Sequence, residues 1–266
     1  MKSELELLLE QNHIDINSEE FKVKFAEVFA QKLKENIEKT DLSTVDNSFT
    51  ALLKISTSKN DEERLACINR ALEIDPDCLE AKLLLTEYKK GHFETIKYLK
   101  KILEEARVKL TKEGYFKKQN IGHFMDEMPT ASYIAGLYEL MLFYIDLDGF
   151  KRAIYLGEEM KRLDHTDAKH VHFDLLGLYA QVDDDQKINK MCKNCDNKCI
   201  LYYIARMVLY FKKGNFSKAK EYLEEIIKIN PFFITYFEGE VDEPKDAKER
   251  KNYCNAKLNV ISYNRK

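Results

Sequence analysis

Residues 198–231 read KCILYYIARMVLYFKKGNFSKAKEYLEEIIKINP, and the arrangement within this stretch decides the fold. Leu201, Ile204, Ala205, Val208 and Phe211 recur at intervals of three and four, the spacing of one helical face. Gly214 then permits a tight turn, and Ala219 is small enough for a second helix to approach the first. Pro231 stops that second helix, because a proline supplies no amide hydrogen and clashes with the preceding turn. The unit is therefore helix, turn, helix, stop.

The same roles recur toward the N-terminus. In IAGLYELMLFYIDLDGFKRAIYLGEEMKRLDHTD, residues 134–167, Leu137, Leu140, Tyr144, Phe150, Ala153 and Leu163 take matching places, with Gly157 at a position that usually holds a larger residue. Ala71 and Pro76 close an earlier helix, and the next pair turns at Gly91 and Phe93. A more divergent pair runs through 173–195, with Leu176, Gly177 and Tyr179 in its first helix. A repeat of about 34 residues with Tyr203, Tyr210, Gly214, Phe216, Ala219, Leu223, Ile226 and Pro231 in these roles resembles the tetratricopeptide repeat (TPR). The resemblance implies an all-α, right-handed α-solenoid of roughly four to five TPR-like helix pairs over 43–231, with capping helices at both ends.

Outside the repeats, Phe21, Phe25, Val28, Phe29, Leu33 and Ile37 form one face of a helix from Glu19 to Lys39, so residues 1–42 read as an N-terminal cap. Residues 111–129 break the pattern at Gly114, Gly122 and Pro129, yet carry Tyr115, Phe116, Ile121, Phe124 and Met125; an ordered insertion is expected there. Residues 232–266 read as a C-terminal capping segment, with Pro244 opening a helix to about Leu258. Over residues 62–180 the order Gly122-His123-Phe124-Met125, Thr130-Ala131-Ser132-Tyr133-Ile134, then Asp164-His165-Thr166-Asp167 is similar to bacterial TPR proteins related to the suppressor-of-tumorigenicity-seven group. The Trp, Arg and Pro residues of that group's motifs are missing, so no residue role carries over.

With 9 Gly and 4 Pro in 266 residues, the chain has too few turn formers for a many-stranded β protein. A net charge of −3 with both signs interspersed argues against a nucleic-acid or anionic-membrane surface, which depends on accumulated basic charge. The most apolar window, Ile200 to Phe211, is too short to span a bilayer and contains Arg206. No secretory leader is visible, and six cysteines fit reduced thiols, so a cytoplasmic location is expected.

Chemistry-bearing clusters are few. Cys192, Cys195 and Cys199 stand close enough to hold Zn²⁺ with a fourth ligand, or to pack as reduced thiols. His170 and His172, two apart on a helix, point away from each other, and with His165 they read as surface or groove histidines. Asp183-Asp184-Asp185 lacks the glycine and distal glutamate of a calcium loop and reads as a turn that caps the next helix. The pairs Glu104/Glu105, Glu158/Glu159 and Glu224/Glu225 read as solvated helix faces. No phosphate-binding glycine loop or nucleophile elbow occurs, so neither a cofactor nor an enzymatic activity is expected.

What the TPR resemblance implies about function is a binding role. The first helix of each pair would line a concave groove, presenting Tyr138, Glu139 and Leu142 from the middle unit and Ile204, Val208 and Phe211 from the last. Such a lining suits a protein or peptide segment with apolar anchors, and the Lys, Asn and Arg set of a carboxylate clamp does not assemble. The expected function is a non-enzymatic interaction scaffold or adaptor. A peptide- or ligand-responsive regulator is the alternative, and metal binding through the cysteine cluster a third.

Overall fold

The computed structural model describes residues 19–192 and 200–237, and every regular element among them is a helix. The thiols of Cys192, Cys195 and Cys199, the expected helix beginning at Pro244 and the first 18 residues lie outside what is described. The chain is an all-α helical-repeat protein that divides into two compact units, residues 1–89 and 90–266.

In the first unit, α1 runs Glu19–Lys39 and ends where the Lys54 ammonium donates to the carbonyls of Ile37 (3.0 Å) and Glu38 (3.3 Å). Those carbonyls are left without amide partners by the end of the helix, and a cation there also meets the negative end of its dipole. Helix α2 (Ser48–Leu53) starts at Asn47, whose side chain accepts from Thr50 N. Helix α3 (Asp61–Ile74) starts at Asn60, which accepts from Glu63 N at 2.8 Å, while Glu63 reaches back to Lys59 N at 2.8 Å. Asp61, Glu62 and Glu63 place negative charge in the first turn, where the dipole favours it.

Val45, Ala51, Ile68, Ala71, Cys78 and Ala81 form the centre of this unit's core, with Leu52, Ile55 and Leu72 among the side chains packed on it. Arg70 pins the preceding linker by donating twice to the Val45 carbonyl. The stretch expected to form a full first helix after Pro76 is instead α4 (Leu79–Leu84) followed by a single 3₁₀ segment, Leu85–Tyr88. Thr86 donates its hydroxyl to the Leu83 carbonyl (2.6 Å), a local bond that competes with continuation of the α-helix.

The second unit carries eight of the described helices: α5 (His92–Lys112), α6 (Met128–Asp146), α7 (Phe150–Leu163), α8 (Val171–Gln181), α9 (Asp185–Cys192), α10 (Ile200–Lys212), α11 (Phe216–Ile229) and α12 (Phe232–Phe237). Each of α5 through α12 packs on its neighbours in sequence, and α8 packs on α10 as well. Leu99, Met141, Met160, Leu163, Leu175, Leu176, Leu209 and Ile226 are all under 2% exposed. Burying each such side chain stabilises the fold by about 1.5–3 kcal/mol before entropy is charged against it.

Two helix approaches rest on small residues. Ala219 is buried where α11 meets α10, and Tyr210 stacks on Tyr222 across the same pair, 5.6 Å between centroids and 9° from parallel. At Gly157 an added Cβ would lie 2.8 Å from the Leu175 side chain and 3.3 Å from Met141 Sδ. The departure from the repeat at Gly157 is what allows α7 to sit this close to α6 and α8.

Candidate protein-interaction surface

Helices α6, α8 and α10 are each the first of a pair. The Tyr138 hydroxyl on α6 donates to the Asp174 carboxylate on α8 at 3.0 Å, and α8 packs on α10. Of the six residues assigned to the groove, Tyr138, Glu139, Leu142 and Val208 are half-buried, and Phe211 is 62% exposed. Ile204 is 2% exposed, and its face-mates Leu201 (6%) and Ala205 (0%) are buried too, so these three face the core. Phe211 meets the equally exposed Phe216 edge-on, 5.5 Å between centroids, making an aromatic pair at the α10–α11 turn.

A buried cation ties α10 to α9. Arg206, 5% exposed, pairs with Asp185 at the start of α9, accepts support from Tyr202, toward whose hydroxyl its Nε donates, and lies over the Tyr202 ring. A buried guanidinium is tolerated when its donors are met in this way. The neighbouring Lys212 caps the end of α8 through the Ala180 carbonyl (3.1 Å) and pairs with Asp183 (2.9 Å). Asp184 accepts from Lys187 N at 3.0 Å. The acidic run 183–185 is thus a turn that caps α9, and it also anchors α10.

The insertion is built into the α7 end of the unit. Gly122 N and Phe124 N both donate to the Leu163 carbonyl, and His165 N donates to the Gly122 carbonyl at 2.9 Å. These bonds form short bridges between 122–123 and Asp164, 41 residues away at the nearest. Phe124, 1% exposed, meets Phe116 and Tyr133 edge-on. Arg107 lies over the Phe116 ring and donates to Tyr133 and Glu159. Glu159, whose side chain is only 15% exposed, also receives two bonds from Arg162, and these hold its carboxyl below the usual range. Glu158 is exposed, as expected from sequence, and also accepts from the Tyr179 hydroxyl on α8, whereas Glu159 is half-buried and ties α7 to α5 through Arg107.

The loop after α7 is organised by two aspartates. Asp164, 4% exposed, accepts from Thr166 N, the Thr166 hydroxyl and Ala168 N. Asp167 accepts from Val171 N and His172 N and pairs with the His172 ring, which caps the start of α8. Burial pushes the Asp167 carboxyl up, but its bonds to His172 outweigh this and hold it below the usual range. His172 is therefore engaged with Asp167, and no group of three or more potential metal ligands occurs among the described residues.

Sequence reading passed over one further feature. A cleft of about 740 Å³ lies between α5 and the α6–α7 turn, with Phe93, Ile96 and Leu147 as its apolar lining and Lys97, Lys100 and Arg152 as its cations. Its parts come from helices assigned to two different pairs, which is why no single repeat reveals it.

A tetratricopeptide-repeat family model matches residues 208–233, from the second half of α10 through α11 into α12. Comparison with curated proteins finds no match. No helix among the described residues is long and apolar enough to cross a membrane.

Proposed function

We propose that this chain, with a tetratricopeptide repeat at residues 208–233, is a non-enzymatic scaffold that holds a peptide segment of a partner protein across α6, α8 and α10. Tetratricopeptide repeats are interaction modules in general, and that match is the observation that carries the reading. Tyr138, Glu139 and Leu142 on α6 and Val208 and Phe211 on α10 are the side chains assigned to contact, with Ile204 supporting them from the core. Phe211 is the strongest anchor, since a largely exposed ring gains most when a partner covers it.

Affinity capture with the full chain, partners identified by mass spectrometry, tests this. Replacing Tyr138 and Phe211 together by Ala should lower recovery of the captured protein by about tenfold, the loss of one anchor's worth of binding energy. Circular dichroism establishes that the variant is folded, and Phe211→Ala alone serves as a second variant that leaves the Tyr138–Asp174 bond in place. Undiminished capture by both folded variants would remove α6 and α10 as the binding face.

A further inference from the structure

We propose that the cleft between α5 and the α6–α7 turn binds an acidic segment of a partner protein that also carries a large apolar side chain. The proposal rests on the scaffold reading and adds a second contact site, away from the residues assigned above.

The cleft's lining contains three cations and no carboxylate, in a chain whose acidic residues (46) outnumber its basic ones (43). Glu94, Asp146 and Asp148 occur on the same elements but do not line it. Lys97 and Lys100 meet no carboxylate among the described residues, and the Arg152 guanidinium lies over the Tyr144 ring, 5.5 Å from its centre. Cations gathered on one lining with no carboxylate among them attract opposite charge and speed its approach.

Charge alone would suit any anion; the apolar half of the site narrows the occupant. Phe93 is 77% exposed and Leu147 49% exposed, and with Ile96 they make up the apolar part of the lining. Phe93, Ile96, Lys97 and Lys100 fall on one face of α5 by their three- and four-residue spacing. An apolar side chain entering the cleft would cover surface that water now wets, while carboxylates beside it would meet Lys97, Lys100 and Arg152. A free phosphate would leave the apolar lining uncovered. A lipid surface is flat on this scale, whereas the site is concave, so a projecting side chain fits it better.

The test uses the full chain and a fluorescein-labelled peptide, Asp-Glu-Phe-Asp-Asp-Leu-Glu-Asp, read by anisotropy. Binding should be saturable, should weaken as salt rises, and should fall by about tenfold or more when Lys97, Lys100 and Arg152 are all changed to Glu. It should also fall when Phe93 is changed to Ser, or when the peptide's Phe and Leu are replaced by Ser. These side chains are exposed, so the variants are expected to fold, and circular dichroism checks that they do. Absence of saturable binding overturns the proposal, as does equal binding by the charge-reversed chain. Preferential sedimentation with phosphatidylserine vesicles, without peptide binding, overturns it in favour of a lipid surface. If the peptide fails while capture through Tyr138 and Phe211 persists, the cleft falls and the scaffold reading stands. If the peptide binds as expected but the Tyr138 and Phe211 variants capture normally, the assigned face falls and the cleft stands.

Discussion

Gly122 adopts φ +100°, and an added Cβ would sit 2.4 Å from His165 Nδ1. Two separate penalties therefore meet at one residue: a backbone region that side chains avoid, and a ring already occupying the space. Gly122→Ala should destabilise the fold by about 1–3 kcal/mol, measured by urea unfolding. In a His165→Ala background the steric part disappears while the backbone part remains, so the same substitution should cost about 1 kcal/mol less. Equal costs in both backgrounds would show that the ring moves aside freely. Sequence reading singled out Gly122-His123 and Asp164-His165 by family resemblance, without placing them together. Their pairing is long-range and made of backbone bonds, which side-chain periodicity does not encode. Ile204 shows the complementary limit. Apolar residues occur all round α10, so spacing marks a helix without choosing which side faces the core.

At the scale of elements, the helix boundaries follow from caps. Asn47, Asn60 and Asn215 each accept from an amide in the following first turn, a residue type that this position favours. The start of α8 is different, because its capping carboxylate is Asp167, four residues ahead of Val171, reached through His170 at φ +53°. Asp167 has its carboxyl pKa lowered in the folded protein, so it contributes stability above its unfolded value that is lost as pH falls through the lowered one. Asp167→Asn should cost about 1 kcal/mol near neutral pH, read from the urea midpoint. The gap between variant and parent should narrow as pH drops from 6 toward 3, once the parent carboxyl takes up its proton. A gap that stays constant over this range would mean that the charge on Asp167 does not stabilise the loop. That α7 tolerates Gly157 despite its helical cost follows from the packing beneath it, a reason that only the neighbouring helices supply.

For the whole molecule, the all-α repeat was legible because each pair repeats the same physical roles: an apolar face, a turn glycine, a small residue at the helix crossing. The interaction surface was legible only in outline, since exposure depends on which neighbours a helix acquires. The cleft was not legible at all, because Phe93, Lys97 and Lys100 belong to α5 while Leu147 and Arg152 come from the α6–α7 turn and the first turn of α7. Helical repeats bury their cores against sequence neighbours, so a contiguous block of them can fold when both its ends are closed. Residues 90–266 are one compact unit, in which α5 through α12 bury Leu99, Met141, Leu175 and Leu209 among themselves. A chain beginning at Lys90 should therefore unfold cooperatively by far-UV circular dichroism. It should also keep the labelled acidic peptide's affinity within about threefold, since every residue lining the cleft lies within it. A non-cooperative melt would show that the first 89 residues are needed for this unit to fold. A cooperative melt with the peptide affinity lost would mean that residues before Lys90 contribute to the acidic-peptide site.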